Sequence, residues 1–273
     1  LCYILSHLQN IFSSTKSNLN LLLNISTEVL KEIGLSIGTD KCAILKVVRG
    51  KVVEMENIEI ARNEIIKSIH NDEGYAYLGI LELLDPCHKT VKKEIYTKVE
   101  KLANVIWSSQ LNEKNKVDAH NMLVVSKLTY SFGIISWTEN ELDEVDRMIR
   151  KCLSKNGCLS IHSNTNRLYL SRQQGGKGLL NVHHLHNRLI ATLVGYIFNG
   201  NSEHAKLIKN FWTNKKMGML LKKAEDAIEK LGLNIIFTEN GVMYDGELLN
   251  HKKIGKMMKK EYQRYYVSWT SNT

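Results

Sequence analysis

The chain has 273 residues, 43% hydrophobic and 24% charged, with a net charge of +9 and a pI near 9.2. That apolar share excludes a disordered chain, and no apolar run is long enough to span a bilayer. The positive balance points to a polyanionic partner, with an ordinary basic surface as the alternative.

The opening LCYILSHLQNIF is briefly apolar, but it lacks the charged flank and small-residue cleavage site of a signal peptide. Ser13 or Ser14 can cap a helix running to about Ile33, with Leu19, Leu22, Leu23, Leu30 and Ile33 on one side. Gly34 suits the left-handed position that ends such a helix. The apolar run CAILKVV, residues 42–48, is expected to turn at Arg49-Gly50 into KVVEM as a hairpin. Residues 58–60 and 75–81 supply further strands, and the β-containing part ends near the single proline, Pro86.

Beyond Pro86 the apolar period changes from two to about three and a half. Val91, Ile95, Val99, Leu102 and Ile106 form one helical stripe, with Lys89, Lys92, Lys93, Lys98 and Lys101 on its other sides. Val117, Val124, Leu128 and Phe132 form a second. Thr138 and Glu141 have capping-box spacing for a third helix, whose core face is Leu142, Val145, Ile149 and Leu153. Asp143 and Arg147 are spaced to pair along its exposed side. Gly175-Gly176-Lys177-Gly178 reads as a flexible loop before a fourth helix carrying Val182, Leu185, Leu189 and Leu193. Helices over about 202–212 and 215–231 follow. An LNIIF strand, a GVMYDGE turn and a basic helix from about 247 to 268 end the chain.

The expected fold class is therefore α+β. A short mixed segment, residues 1–86, precedes a helical array over 87–200 and a helical extension over 201–273. The strands of the first segment number too few to close a core by themselves.

Two segments near the front, GLSIGTDKC at residues 34–42 and YAYLGI at 75–80, resemble the fourth palm motif and the primer-grip strands of non-LTR retrotransposon reverse transcriptases. LTYSFGIISWT at 128–138 and RLYLSRQQGGKGLL at 167–180 resemble the two signature segments of the thumb in the same group. Ser171 stands where the family usually has proline, and Lys177 where it usually has arginine. The likeness covers roughly residues 13–200, is weaker beyond, and is greatest to elements that insert at fixed genomic sites. It implies a partial reverse-transcriptase palm followed by an all-helical thumb, part of an RNA-directed DNA polymerase. An RNA template and a DNA primer are the implied partners, with no membrane. Mg²⁺ is implied for the full-length enzyme, and a nuclear place of action for the parent element. The family's paired aspartates, in a Phe/Tyr-x-Asp-Asp hairpin, would fall immediately before residue 1. The chain, which begins with Leu, is thus expected to be a fragment lacking the upstream fingers and palm, without a cofactor or metal ligands of its own and inactive alone. A stand-alone, non-enzymatic nucleic-acid-binding helical module and a decayed, non-functional copy are the alternatives.

Nucleotidyl transfer needs carboxylates that hold two metal ions, and Asp40 beside Lys41 does not replace them. By the resemblance Lys41 approaches the pyrophosphate as its general acid; otherwise it is a solvated turn lysine. Tyr77, Leu78 and Gly79 would form the primer grip, with glycine admitting the primer backbone, or else an ordinary buried strand. The thumb's cations would hold phosphates without reading sequence. Candidates are Arg147, Arg150 and Lys151 on one helix and Arg167, Arg172 and Lys177 around the glycines; the alternative is a solubilising face. The five cysteines are odd in number and scattered, and read as reduced thiols of an intracellular protein. Cys152, Cys158 and His162 lack the close pair spacing of a zinc site. In the tail, Lys252, Lys253, Lys256, Lys259, Lys260 and Arg264 interleave with Tyr262, Tyr265, Tyr266 and Trp269. Those aromatics either stack on bases or dock the helix, with docking favoured.

Overall fold

The computed structural model describes residues 2–6, 10–49, 51–61, 64–69, 75–77, 80–82, 88–160, 162–215 and 218–271. The protein is mixed α+β and divides into two compact units, residues 1–92 and 93–273.

In the first unit β1 (Cys2–Ser6) and β2 (Asn10–Ser13) form a hairpin ahead of α1 (Lys16–Glu32). Thr15 caps that helix, rather than Ser13 or Ser14. Its hydroxyl accepts from the Asn18 amide at 3.2 Å, while the Ser13 hydroxyl is taken up by the Thr15 backbone. Gly34 ends the helix with φ of 76°, and the amides of Gly34 and Leu35 donate to the carbonyls of Lys31 and Leu30. A single 3-10 turn, Thr39–Lys41, leads into β3 (Cys42–Val48). The chain turns at Arg49 into β4 (Lys51–Val53), Val48 pairing with Lys51. With β5 (Ile58–Ala61) and β6 (Glu64–Ser68) the sheet has six strands in the order β2-β1-β3-β6-β5, and β4 pairs with β3. β6 runs parallel to β3; the other pairings in this sheet are antiparallel.

Side chains alternate across a strand, so β3 serves two clusters. Cys42 and Ile44 join Leu19 and Leu23 of α1 with Ile58 and Ile66, whereas Ala43 and Leu45 join Ile69. The expectation of a sheet too short to close a core is overturned. β1, β2 and β6 add strands, and Leu19, Ile44 and Ile66 are fully buried. The side expected to carry Leu22 and Ile33 inward is also corrected. Leu22, Ile25, Val29 and Ile33 are 39%, 48%, 52% and 65% exposed, an apolar row flanking the buried one. A separate two-stranded pairing joins β7 (Tyr75–Tyr77) to β8 (Ile80–Glu82), with Tyr77 opposite Ile80.

The helical part begins with α2 (Lys89–Ser108). Then α3 (Glu113–Ala119) runs through one π turn, His120–Val124, into α4 (Val125–Thr129). α5 (Glu139–Lys155) starts in the expected capping box, with the Thr138 amide donating to the Glu141 carboxylate at 2.8 Å. After α6 (Asn166–Tyr169) comes α7 (Val182–Asn199), which packs against α5, α9 and α10. Its buried face is Val182, His186, Ile190, Val194 and Phe198; Leu189 and Leu193, expected inside, are only half-buried. Then follow α8 (Glu203–Lys215) and α9 (Met219–Glu229). A small antiparallel sheet comes next, formed by β9 (Ile235–Thr238), β10 (Gly241–Tyr244) and β11 (Glu247–Leu248). The last helix, α10 (His251–Ser271), lies so close to α7 that a Cβ on Gly195 would meet Ile254 Cδ1 at 2.4 Å. Its Ile254, Met258, Tyr262 and Tyr266 are buried, while Tyr265 and Trp269 stay about half exposed. The tail aromatics therefore divide between docking and solvent. No described helix is long and apolar enough to cross a membrane.

Candidate nucleic-acid interface

Residues 167–180 form a self-bonded turn, not the flexible loop their glycines suggest. Leu168, Tyr169 and Leu170 are buried, and the chain folds back on them. The amides of Lys177, Gly178 and Leu179 donate at 2.9 Å to the carbonyls of Arg167, Leu170 and Leu168. Gly175 and Gly178 adopt φ of 80° and 76°, where a side chain is disfavoured. A Cβ on Gly176 would lie 2.1 Å from the Leu170 carbonyl oxygen, so only glycine fits the crossing. Two side chains brace the turn from outside. Asn121, in the π turn, donates to the Gly178 carbonyl at 3.0 Å and accepts from the Leu180 amide at 3.1 Å. Gln263 of α10 accepts from the Ser171 amide at 2.8 Å and donates to the Tyr169 carbonyl at 3.1 Å.

The six candidate cations have different surroundings. Arg150 points inward: its guanidinium donates to the buried carboxylate of Asp146 and, at 2.9 Å, to the Tyr169 hydroxyl. That hydroxyl also donates to Asp146. Burial pushes the Asp146 carboxyl up, while Tyr169, Arg150 and the Val182 amide pull against it. Burial lowers the Arg150 pKa, but Tyr169 and Asp146 outweigh it and hold the guanidinium above its ordinary value. Arg150 thus ties α5 to the turn. Lys177 is half-buried, donating to the Cys158 carbonyl at 2.9 Å and pairing with Glu113. Arg147, Lys151, Arg167 and Arg172 remain exposed. The expected Asp143–Arg147 carboxylate pair is not made. Arg147 Nε donates to the Asp143 backbone carbonyl at 3.3 Å, because the carboxylate faces His183 Nδ1 at 3.2 Å.

Two polar grooves are lined by four of these cations. One, of about 770 Å³, is lined by Arg167, Gln174 and Lys177 with His162, Asn164 and Thr270. The other, of about 550 Å³, runs between α2 and α5, with Arg147, Lys151 and Lys155 facing Tyr96, Glu100 and Asn104. Sequence reasoning missed Lys155 and the three α2 residues. The signal was there in the shared four-residue spacing, which places each trio along one side of its helix.

Behind the turn, three histidines are held neutral. Burial pushes His120 down to about 4, and Trp107 Nε1 donates to its Nδ1 at 3.2 Å. His184, stacked on Tyr262 at 3.8 Å, is pushed to about 3 by burial and then by His183. His186 falls to about 4, again chiefly by burial.

Of the candidates in the first unit, Lys41 is exposed at the end of the 3-10 turn. Beside it, burial and then Asp40 push the Cys42 thiol up. Tyr77 ends β7; Leu78 and Gly79 lie outside the described residues. Cys152 is buried with Sγ 3.9 Å from Met148 Sδ, and Cys158 is half-buried against Lys116. Among the described residues no group of three or more His, Cys, Asp or Glu side chains could hold a metal ion. Comparison of the sequence with protein-family models and with curated proteins gives no match in either.

Proposed function

We propose that this chain is the C-terminal palm remnant and thumb of a non-LTR retrotransposon reverse transcriptase. In this reading it clasps the RNA·DNA template–primer duplex while carboxylates outside it perform synthesis. One observation carries the reading. The thumb-like segment 167–180 buries its apolar residues and uses its glycines for closure, which leaves Arg167 on the surface at a polar groove and Arg172 exposed on the same turn. Cations fixed on a rigid backbone hold phosphates without reading sequence. Residues 1–86 would contribute the palm, with Lys41 as proton donor to pyrophosphate and Tyr77, Leu78 and Gly79 gripping the primer. Residues 87–200 would be the thumb and 201–273 its extension. Arg147, Lys151 and Lys177 extend the phosphate contacts, and Arg150 supports the turn from inside.

Binding of an RNA·DNA hybrid across a salt series tests this. Replacing Arg167 and Arg172 together with alanine is expected to weaken binding about tenfold or more and to lower the salt slope by about two, with thermal unfolding unchanged. A chain with no affinity for the hybrid, or with salt-independent affinity, would sink the reading. A second reading, the stand-alone binding module, is favoured because both grooves lie within residues 93–273. Supplying an upstream palm with its paired aspartates restores primer extension under the first reading and does nothing under the second.

A further inference from the structure

The groove between α2 and α5 has walls of different chemistry. On α5, Arg147, Lys151 and Lys155 are exposed and stand one turn apart, about 6 Å along the axis. That step is close to the separation of successive phosphates on one strand of an A-like helix. On α2, Tyr96, Glu100 and Asn104 repeat at the same interval across the gap. Among the described residues, no ion pair within 4.0 Å joins the two walls. No ion pair therefore closes the groove between the cationic face of α5, which Glu144 also lines, and the polar face of α2. Asn104 donates its amide to the Glu100 backbone carbonyl at 3.0 Å, which leaves its side-chain oxygen as an acceptor. The Tyr96 phenol is pushed up by burial and then by Glu100 and Glu144, so it stays a neutral donor. Met148 and Cys152 form an apolar floor beneath.

A purely phosphate-binding surface has no use for Glu100 in this position, because a carboxylate repels the polyanion. A ribose strand differs from deoxyribose in one group, the 2′-hydroxyl, which can donate to a carboxylate. We propose that the α2–α5 groove holds the RNA strand of the duplex, with its phosphates on Arg147, Lys151 and Lys155 and its 2′-hydroxyls donating to Glu100 and Asn104. The proposal rests on the template–primer reading above and adds to it the strand this groove selects. The cations supply affinity and the α2 wall supplies discrimination between ribose and deoxyribose.

The test compares two hybrids on the full chain, one with an RNA strand and one whose same strand carries 2′-fluoro groups. Fluorine keeps the A-like geometry and removes the donor, so shape and hydroxyl recognition separate. The wild-type chain is expected to bind the RNA hybrid about tenfold more tightly. Glu100→Ala with Asn104→Ala brings that ratio close to one and leaves affinity for the 2′-fluoro hybrid unchanged or higher, since a like charge has gone. Lys151→Ala with Lys155→Ala weakens both hybrids alike and lowers the salt slope by about two. Equal wild-type affinity for the two hybrids, or a ratio that survives loss of Glu100 and Asn104, overturns the proposal while the duplex-clasping reading stands. Failure to bind either hybrid overturns both. Thermal unfolding of each variant checks that these surface changes leave the fold intact.

Discussion

The two units distribute their exposed apolar side chains differently. In the first, α1 seats Leu19 and Leu23 on the sheet and leaves Leu22, Ile25, Val29 and Ile33 in contact with solvent. In the second, α7 is enclosed by α5, α9 and α10, cations gather around two grooves, and exposed apolar residues such as Met122, Leu123, Leu207 and Phe211 are spread over several elements. Burial contributes roughly 25 cal/mol per Å² of apolar surface, so a helix with a second exposed row forgoes part of what its sequence could supply. The helical unit closes its own core and turns cations outward. The mixed unit closes a core too, but lines up its exposed apolar residues along one helix.

Acidification should separate the units most widely. Each of His120, His184 and His186 has a folded pKa well below the ordinary value of 6.5. The unfolded chain takes up a proton near pH 6.5, whereas the folded chain resists until about pH 3 to 4. Stability present above pH 6.5 is therefore lost as pH falls, by about 2 kcal/mol per buried histidine at pH 5. The described residues of the first unit include no buried histidine. Urea unfolding at pH 7.5 and pH 5, followed by amide hydrogen exchange read separately in residues 1–92 and 93–273, should show the helical unit losing most; equal losses in both units would break the contrast. The next effect in size is local. Asp146→Ala strands the half-buried Arg150 and should cost about 3–5 kcal/mol in the helical unit, read as a shift of the urea midpoint. The smallest effect belongs to the exposed row of α1. Ile25→Lys with Val29→Lys should change stability by less than about 0.5 kcal/mol per site while reducing concentration-dependent association in sedimentation. A large loss of stability there would mean that the row is covered, not exposed.

Much of the helical unit was readable because its elements carry local signals. Thr138 with Glu141 marked the start of α5, and Leu142, Val145, Ile149 and Leu153 marked its inner face. Gly34 marked the end of α1 and CAILKVV the strand β3. The inner strand β6 escaped, because EIIKS is too short to show a period and one of its two partners, β3, is distant in sequence. The cap of α1 was misplaced by one or two residues because three hydroxyl side chains stand in a row and only geometry chooses Thr15. The groove candidates were half legible. Arg147, Lys151, Arg167 and Arg172 are on the surface, while Arg150, one helix position from Lys151, faces inward.

The sequence by itself determined the helix periods, the capping residues, the basic balance and the order of segments that resembles a polymerase thumb. These follow from contacts within a few residues, where backbone geometry and side-chain chemistry are enough. Only the tertiary structure decided which cations reach solvent, that the four-residue window of glycines is a braced turn, and that Glu100 and Asn104 oppose Lys151 and Lys155 across one groove. Those outcomes depend on residues far apart in the chain being brought together. An arginine beside a buried carboxylate and an arginine in water look identical until the fold places Asp146 and Tyr169 around one of them.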